Sequence, residues 1–212
     1  MIVVDFDDTL YNTARFKDDL EKFLFQYGVG KEDFLSSYTA ADRLRAQGAF
    51  DYTFERQLEC LKEKGYVFSD GIIKDLDRVL ENKELVFSDA VDFLLAIGQT
   101  RHHKILMTLG NHDFQKLKIA SAGLSIYFDE VVILHGQKEV ELGERYLAGE
   151  KELIFINDNL RENLVIKELF PDSLVVSKVN SSKYNIDQYK ESGLPYFQTL
   201  TEIKEYVLNQ AK

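Results

Sequence analysis

The chain has 212 residues, of which 45% are hydrophobic, and this length and composition indicate a globular protein with a well-formed core. Its formal net charge of −10 argues against nucleic acid as a partner, because phosphate backbones bind basic surfaces. The only cysteine is Cys60, so an intramolecular disulfide is excluded. No segment is typical of a signal peptide or a membrane span, so we expect a cytoplasmic protein that does not bind membranes.

The first predicted element is a short strand that ends in acidic residues. Ile2–Val4 is apolar and β-branched throughout, which is typical of a strand buried on both faces. The polar residues that follow it are Asp5, Asp7, Asp8 and Thr9. If the chain stays extended, Asp5 and Asp7 lie on one side of it and repel each other unless a cation or a proton is present. Mg²⁺ is the common cation at such oxygen ligands, so the sequence predicts a magnesium site here.

A long helical segment separates this strand from the next one. Hydrophobic residues recur at helical spacing, and no convincing strand is predicted between residues 12 and 85. The predicted helices lie near residues 16–27, 31–47, 53–64 and 70–81. We therefore predict a small all-helical domain over residues 12–85, inserted into a core that consists of residues 1–11 and 86–212.

Strands and helices alternate in the remainder of the chain. The predicted strands are Lys104–Thr108, Val131–Leu134, Leu153–Ile156 and Leu174–Val176. A helix over His112–Ala122 is predicted to end at Gly123, and the polar stretch from Lys178 to Pro195 predicts a surface loop. The alternation is typical of an α/β fold with a Rossmann-like parallel sheet, helices on both faces and right-handed crossovers.

Polar residues follow three of the predicted strands. Asp5 follows the first strand, Thr108 ends the second and Asp158 follows the fourth. Ligands of such sheets bind beyond the carboxyl ends of the strands. If these three residues form one site, the first strand must lie between the second and the fourth.

The stretch Asp5-Phe6-Asp7-Asp8-Thr9 resembles the first motif of the phosphohydrolases of the haloacid dehalogenase superfamily. The resemblance implies that Asp5 is a nucleophile and Asp7 a general acid and base, with Thr9 in contact with substrate. The family most often has glycine at the position of Asp8, which we interpret as a tolerated variant. The predicted insertion also matches the position and helical character of the family's first type of cap domain.

Later residues resemble the family's other motifs. Thr108 stands where a hydroxyl binds the phosphoryl group, and Asn111 is a further expected substrate contact. Asp158 stands at the position of a metal ligand, and Glu162 at that of a second acidic ligand. Asn157 replaces the glycine that often precedes the first of these acids.

The family's third motif is a lysine that neutralises the nucleophile and the phosphate. Lys138 is the best candidate by position, and Lys116 and Lys151 are competing candidates. We expect Arg43 and Arg45 of the insertion to contact an anionic group of the substrate.

The resemblance implies a Mg²⁺-dependent phosphatase that hydrolyses a small phosphorylated metabolite through an aspartyl-phosphate. The expected metal ligands are Asp5, Asp158, Glu162 and Asp7, the last through its main-chain carbonyl. A phosphomutase of the same superfamily remains an alternative, as does a non-catalytic phosphate-binding or receiver-like module. Asp7 argues against a carbon–halogen hydrolase, which normally lacks this second acid. The oligomeric state is left open.

Overall fold

The computed structural model describes residues 1–42, 51–149 and 152–210. Its strands are β1 (Ile2–Val4), β2 (Lys104–Leu109), β3 (Glu130–Leu134), β4 (Ile154–Asn157), β5 (Leu174–Lys178) and β6 (Tyr196–Phe197). All neighbouring strands pair in parallel, and they form one sheet in the order β3-β2-β1-β4-β5-β6. The prediction that the first strand lies between the second and the fourth is therefore confirmed.

The helices of the described ranges are α1 (Thr13–Phe25), α2 (Lys31–Ala41), α3 (Phe54–Glu63), α4 (Ile72–Val79), α5 (Ala90–Gly98), α6 (His112–Ala122), α7 (Lys138–Leu147), α8 (Leu160–Leu169), α9 (Ile186–Ser192) and α10 (Leu200–Gln210). Short 3₁₀ turns lie at Lys83–Leu85 and Ser125–Tyr127. None of these helices is both long and apolar enough to cross a membrane.

Both faces of the sheet are covered by hydrophobic side chains. Ile2 and Val4 face one cluster, whereas Val3 faces another, so all three residues of β1 are inaccessible to solvent. Alternate residues of a strand point to opposite faces, and helices on both sides bury them. This burial explains the uninterrupted apolar sequence of β1, and it confirms the predicted α/β fold.

The segment between β1 and α5 contains helices α1–α4. Its two ends lie side by side, because the N–H of Asn12 donates to the carbonyl of Leu85 at 2.7 Å. The N–H of Phe87 donates in turn to the carbonyl of Leu10 at 3.0 Å. The chain therefore leaves the sheet near residue 11 and returns near residue 86 at one place, which is the geometry expected of an inserted unit.

Aromatic rings join the insertion to α6. The ring of Phe114 on α6 lies 5.1 Å from that of Tyr52 and 5.0 Å from that of Phe54, both in edge-to-face geometry. Such ring pairs contribute about 0.5–1.5 kcal/mol each beyond their buried area. The side-chain amide of Asn111 also donates to Asp51 at 2.8 Å.

The prediction of a surface loop between Lys178 and Pro195 is wrong. This stretch contains α9, and Tyr189 on that helix is fully buried. The hydroxyl of Tyr189 accepts a hydrogen bond from the N–H of Asn180 at 2.8 Å. A single buried tyrosine thus fixes a segment whose polar composition resembles that of a loop.

Candidate active site

Asp5 follows β1 at its carboxyl end and is almost completely buried. One of its carboxylate oxygens accepts a hydrogen bond from the hydroxyl of Thr9 at 2.9 Å, and the other accepts one from Nζ of Lys138 at 2.7 Å. Burial raises the pKa of Asp5 to about 7, the charge of Lys138 opposes this effect, and the charge of Asp158 adds to it. The lysine is thus placed to hold Asp5 in its ionised form.

Lys138 is the first residue of α7 and is buried between two carboxylates. Besides its contact with Asp5, its Nζ lies 3.2 Å from Glu162. Burial would lower the pKa of Lys138, but the charges of Asp5 and Glu162 outweigh burial and raise it above its ordinary value. Lys116 is exposed on α6, and Lys151 lies outside the described residues. Of the candidate lysines that the structure describes, Lys138 is the one beside Asp5.

Thr9 is fully buried and does not line the site cavity. Its hydroxyl donates to Asp5 and accepts a hydrogen bond from the N–H of Asp158 at 3.1 Å. The Thr9 hydroxyl therefore has two protein partners in this structure, and its contact with substrate stays a prediction. Its role is to hold Asp5 and the end of β4 together.

Asp7 is held by side chains from two helices. Its carboxylate accepts hydrogen bonds from Thr13 on α1 at 3.1 Å and from Gln115 on α6 at 2.7 Å, and it forms an ion pair with Lys118. Burial would raise the pKa of Asp7, but the charge of Lys118 and these hydrogen bonds outweigh it and lower the pKa. Of the surface of the Asp7 side chain, 29% remains exposed.

Two predicted substrate contacts lie at the carboxyl end of β2 and just beyond it. Thr108 lines the cavity, and its hydroxyl lies 3.2 Å from Nε2 of Gln115. Asn111 also lines the cavity, although its side chain already caps α6 by accepting a hydrogen bond from the N–H of Phe114. Asn111 thus combines a structural role with its position in the cavity wall.

Asp158 follows β4 and is buried beside a cation. Its carboxylate accepts hydrogen bonds from Nδ2 of Asn180 at 2.7 Å and from Nζ of Lys183 at 2.9 Å. Burial raises the pKa of Asp158 and the charge of Lys183 opposes that effect. Neither Asn180 nor Lys183 was predicted as a site residue.

Asp8 has a left-handed backbone with φ of 61°, which explains why glycine suits this position. Its carboxylate nevertheless has partners, because Lys183 lies 3.1 Å away and the N–H of Thr13 donates to it at 3.2 Å. Lys183 therefore bridges Asp8 and Asp158. The interpretation of Asp8 as merely a tolerated variant underestimates this contact.

The acidic residues offer only oxygen atoms to a metal ion. In the ranges that the structure describes, no three His, Cys, Asp or Glu side chains converge closely enough to hold one by themselves. Asp5 and Asp158 are, however, close enough for the charge of Asp158 to raise the pKa of Asp5. Mg²⁺ commonly takes one or two carboxylates and completes its shell with carbonyl oxygens and water, so this pair fits it.

The other two predicted metal ligands, Glu162 and Asp7, also have protein partners. Glu162 accepts hydrogen bonds from the side-chain amides of Asn157 at 3.0 Å and Asn159 at 2.9 Å, in addition to its contact with Lys138. The carboxylate of Asp7 is held by α1 and α6, as described above. Such contacts do not set Glu162 apart from Asp158, whose carboxylate also has protein partners, so Glu162 stays a predicted ligand. Asp7 stays a predicted ligand through its main-chain carbonyl.

A cavity of about 300 Å³ opens over these residues. The predicted site residues that line it are Asp5, Asp7, Thr108, Asn111, Lys138, Asp158 and Glu162. Arg43 and Arg45 lie outside the described residues. The fold thus brings residues from the ends of β1, β2 and β4 and from α7 to one place.

Sequence reasoning missed several polar residues of the site, among them Thr13, Gln115, Lys118, Asn180 and Lys183. Gln115 and Lys118 lie one helical turn apart in a helix whose limits were predicted, so their common face with Asn111 was a usable signal. Asn180 and Lys183 belong to the stretch predicted as a surface loop, where nothing in the sequence pointed to the site.

No protein-family model and no curated protein matches the sequence. Solved structures do resemble it. A putative haloacid dehalogenase-like hydrolase from Burkholderia xenovorans LB400 superposes with a TM-score of 0.73 at 19% identity, over 96% of each chain. The L-2-haloacid dehalogenase from Xanthobacter autotrophicus gives a TM-score of 0.64 at 16% identity, over 98% of each chain.

A third similar structure is the putative HAD-hydrolase YfnB from Bacillus subtilis, which was determined with bound magnesium. It gives a TM-score of 0.63 at 18% identity and covers 97% of this chain and 96% of its own. These likenesses extend over the whole length of both chains in each case. The protein described here therefore has the fold of the haloacid dehalogenase-like hydrolases.

Proposed function

We propose that the protein is a Mg²⁺-dependent phosphatase that hydrolyses a small phosphorylated metabolite through an aspartyl-phosphate intermediate. One observation carries this proposal: the buried carboxylate of Asp5 contacts Lys138 and faces the same cavity as Asp7. A carboxylate nucleophile needs a neighbouring cation that keeps it ionised and reduces repulsion by the incoming phosphate. Asp7, two residues further on, supplies a second acid for proton transfer.

In the first step an oxygen of Asp5 attacks phosphorus, and the bond between phosphorus and the ester oxygen breaks. Asp7 gives its proton to the departing oxygen. In the second step Asp7 takes a proton from water, whose oxygen attacks phosphorus and releases Asp5. Lys118 and the hydrogen bonds to Asp7 lower its pKa, whereas the negative charge of a bound phosphate opposes this effect and favours protonation of Asp7.

The remaining polar residues of the cavity stabilise the phosphoryl group. Nζ of Lys138 contacts the carboxylate of Asp5, and Thr108 lines the same cavity. Asp5 and Asp158, with the main-chain carbonyl of Asp7, would hold Mg²⁺. When bound, the ion neutralises charge on the phosphoryl oxygens. The magnesium bound to the similar YfnB structure supports this choice of ion.

The similar structures include L-2-haloacid dehalogenases, so a carbon–halogen hydrolase is the main rival among enzymes. Asp7 and Asp158 favour the phosphatase, because a second acid serves to protonate an alkoxide and a pair of buried carboxylates serves to bind a cation. A phosphomutase would use the same residues. It differs in transferring the phosphoryl group back to an organic hydroxyl instead of to water.

The size and lining of the cavity support a small substrate. Its volume of about 300 Å³ is at the lower end of the range for ligand sites. One wall consists of aromatic rings, including Phe16, Tyr38 and Tyr52 from the insertion and Phe114 from α6. The organic part of the substrate would pack against these rings while the phosphate lies at Asp5.

A release assay for inorganic phosphate over a panel of phosphorylated metabolites tests the proposal. We expect release with Mg²⁺ or Mn²⁺ and none after exhaustive chelation. Asp5→Asn should abolish release, since an amide is a poor nucleophile, whereas Asp172→Asn at an exposed position should not. Mass spectrometry of quenched turnover should find phosphate on Asp5.

Three results would each refute a part of the proposal. Full activity in chelator would exclude the metal, and a phosphate label on another residue would exclude Asp5 as the nucleophile. Isomerisation of a sugar phosphate without phosphate release would replace the phosphatase with a mutase. Release of halide from a haloacid, with no release of phosphate from any ester, would favour the dehalogenase.

A further inference from the structure

Lys118 is a charged residue that the fold buries beside Asp7. Only 4% of its surface is exposed, and its ammonium group forms an ion pair with the Asp7 carboxylate. The same Nζ lies 4.6 Å from the ring centre of Tyr11 and 5.3 Å from that of Phe6. An ammonium group that loses its water is costly to bury, and the ion pair with Asp7 and the contacts with the two rings offset this cost.

Gln115 holds the other oxygen of the same carboxylate. Its Nε2 lies 2.7 Å from Asp7 and 2.7 Å from the carbonyl oxygen of Leu109, which fixes the amide between the site and the end of β2. Gly110 makes this approach possible, because a Cβ there would lie 2.8 Å from Cγ of Gln115. The φ of Gly110 is +148°, which other residues rarely adopt.

Both side chains come from one helix with a fixed start. Gln115 and Lys118 are three residues apart on α6, so they project from the same face. Asn111 caps this helix, which sets its register against β2. The two side chains therefore reach Asp7 from a rigid element, and the 29% exposure of Asp7 remains available to the cavity.

We propose that Gln115 and Lys118 are positioning residues that hold the Asp7 carboxylate in the orientation from which it protonates the leaving group. This inference rests on the proposed phosphatase activity. Both residues border the cavity, and the role inferred here is the one that they exert through their contacts with Asp7. Asp7 gives one proton to the ester oxygen in the first step and regains one from water in the second, so its net proton count is unchanged over a full cycle.

The alternative is that Gln115 and Lys118 only stabilise the fold. Two phosphate esters whose leaving groups differ in their need for a proton distinguish these roles. Para-nitrophenolate leaves readily without a proton, whereas phenolate depends more on an acid. The value of kcat/KM includes steps only up to the first irreversible one, so it reports phosphoryl transfer to Asp5 and not hydrolysis of the intermediate. Phenyl phosphate and para-nitrophenyl phosphate have nearly the same shape, so their binding should respond alike.

The experiment compares kcat/KM of both esters for the wild type, Lys118→Met, Gln115→Met and the control Lys116→Met. Lys116 lies exposed on the same helix. General acid catalysis contributes about 10²–10⁴-fold, so we expect each site variant to lose about ten-fold more activity on phenyl phosphate than on para-nitrophenyl phosphate. The control should hydrolyse both esters like the wild type.

Equal losses on the two esters in both variants would overturn the inference while leaving the phosphatase proposal intact. Failure of the wild type to hydrolyse either ester or any metabolite of the panel would instead refute the phosphatase proposal itself. If Lys118→Met does not fold, Gln115→Met decides between the two roles. This variant removes a neutral side chain and keeps the ion pair between Asp7 and Lys118. Circular dichroism of each variant checks the fold.

Discussion

At the level of single residues, three carboxylates of the site each contact a lysine. Asp5 contacts Lys138, Asp7 contacts Lys118 and Asp158 contacts Lys183. Buried charges are stable only when paired, and each pair here also shifts the proton affinity of its carboxylate. A protein with a net charge of −10 thus concentrates positive charge where an anionic substrate would bind.

Lys183 leads to a prediction about metal affinity. Its ammonium group lies 2.9 Å from Asp158, the carboxylate that we expect to bind Mg²⁺, and the two cations compete for that charge. Lys183→Met should therefore tighten Mg²⁺ binding several-fold, as measured by isothermal titration calorimetry without substrate. Lys190→Met, at an exposed lysine on α9, is the matched control.

A weaker Mg²⁺ affinity in Lys183→Met would contradict this prediction, since it would mean that the lysine orders Asp158 for the metal.

The contact itself could not be predicted from sequence. Lys183 is separated from Asp158 by α8 and β5, and it belongs to a segment in which the N–H of Asn180 donates to the hydroxyl of buried Tyr189. Asp5, Asp7 and Asp158, by contrast, follow apolar strands directly, and their positions followed from that pattern.

At the level of elements, α7 connects the site to the edge of the sheet. The helix begins with Lys138 at Asp5, and two turns later Arg145 binds Glu130 of β3 through two hydrogen bonds of 2.9 and 2.6 Å. These hydrogen bonds, together with the charge of Arg145, lower the pKa of Glu130 below its ordinary value of 4.5. The contact therefore stabilises the ionised form of the glutamate.

We predict that Glu130→Gln lowers the free energy of unfolding near neutral pH by less than about 1 kcal/mol, because the pair is partly exposed to solvent. A depressed pKa gives stability that is fully present above the unfolded-state value and is lost as the pH falls through the folded-state value. The difference from wild type should accordingly shrink in acid. Urea unfolding at several pH values measures it.

Glu144→Gln, at an exposed position on the same helix, should change stability little at any pH. A difference between Glu130→Gln and wild type that grows in acid would contradict the ion-pair explanation. The attachment of α7 to β3 could not be predicted from the sequence, because it depends on where the sheet places Glu130 relative to Arg145.

The limits of the helices show the same contrast between what local sequence predicts and what depends on contacts in the fold. The predicted helix over residues 112–122 and its end at Gly123 agree with the structure, since Gly123 has a left-handed φ of 69° that terminates the helix. Helix α9 was missed because it spans only Ile186–Ser192 and carries mostly polar residues. Caps alone did not reveal α9, because Asn185 and Gln188 form a capping box at its start and Gly193 ends it with a left-handed backbone. An apolar face is the local signal that this helix lacks.

At the level of the whole molecule, the helical insertion is expected to act as a lid over the carboxyl ends of the strands. Its aromatic residues form one wall of the cavity, and Asn111 beyond β2 contacts Asp51 of the insertion. A covered site excludes bulk water and strengthens charge interactions around Asp5. It also limits the size of the group attached to the phosphate.

We predict that the enzyme hydrolyses free phosphoserine at least about ten-fold faster than a phosphoserine residue within a folded protein, because closure of the lid requires a small substrate. The two substrates carry the same ester, so the comparison isolates size. Phosphate release at matched concentrations measures it. Equal rates would show that the insertion does not close over the site.

The central position of β1 has a consequence for how the chain is made. Val4 pairs with Leu106 on one side and with Ile156 on the other, so both partners of the first strand lie far along the chain. Non-local parallel pairing of this kind is slow to form. During synthesis Ile2–Val4 is made before both of its partner strands, so one edge of this apolar segment can be covered only after β2 is made and the other only after β4 is made. Until then the segment that carries Asp5 is exposed to aggregation and to chaperones.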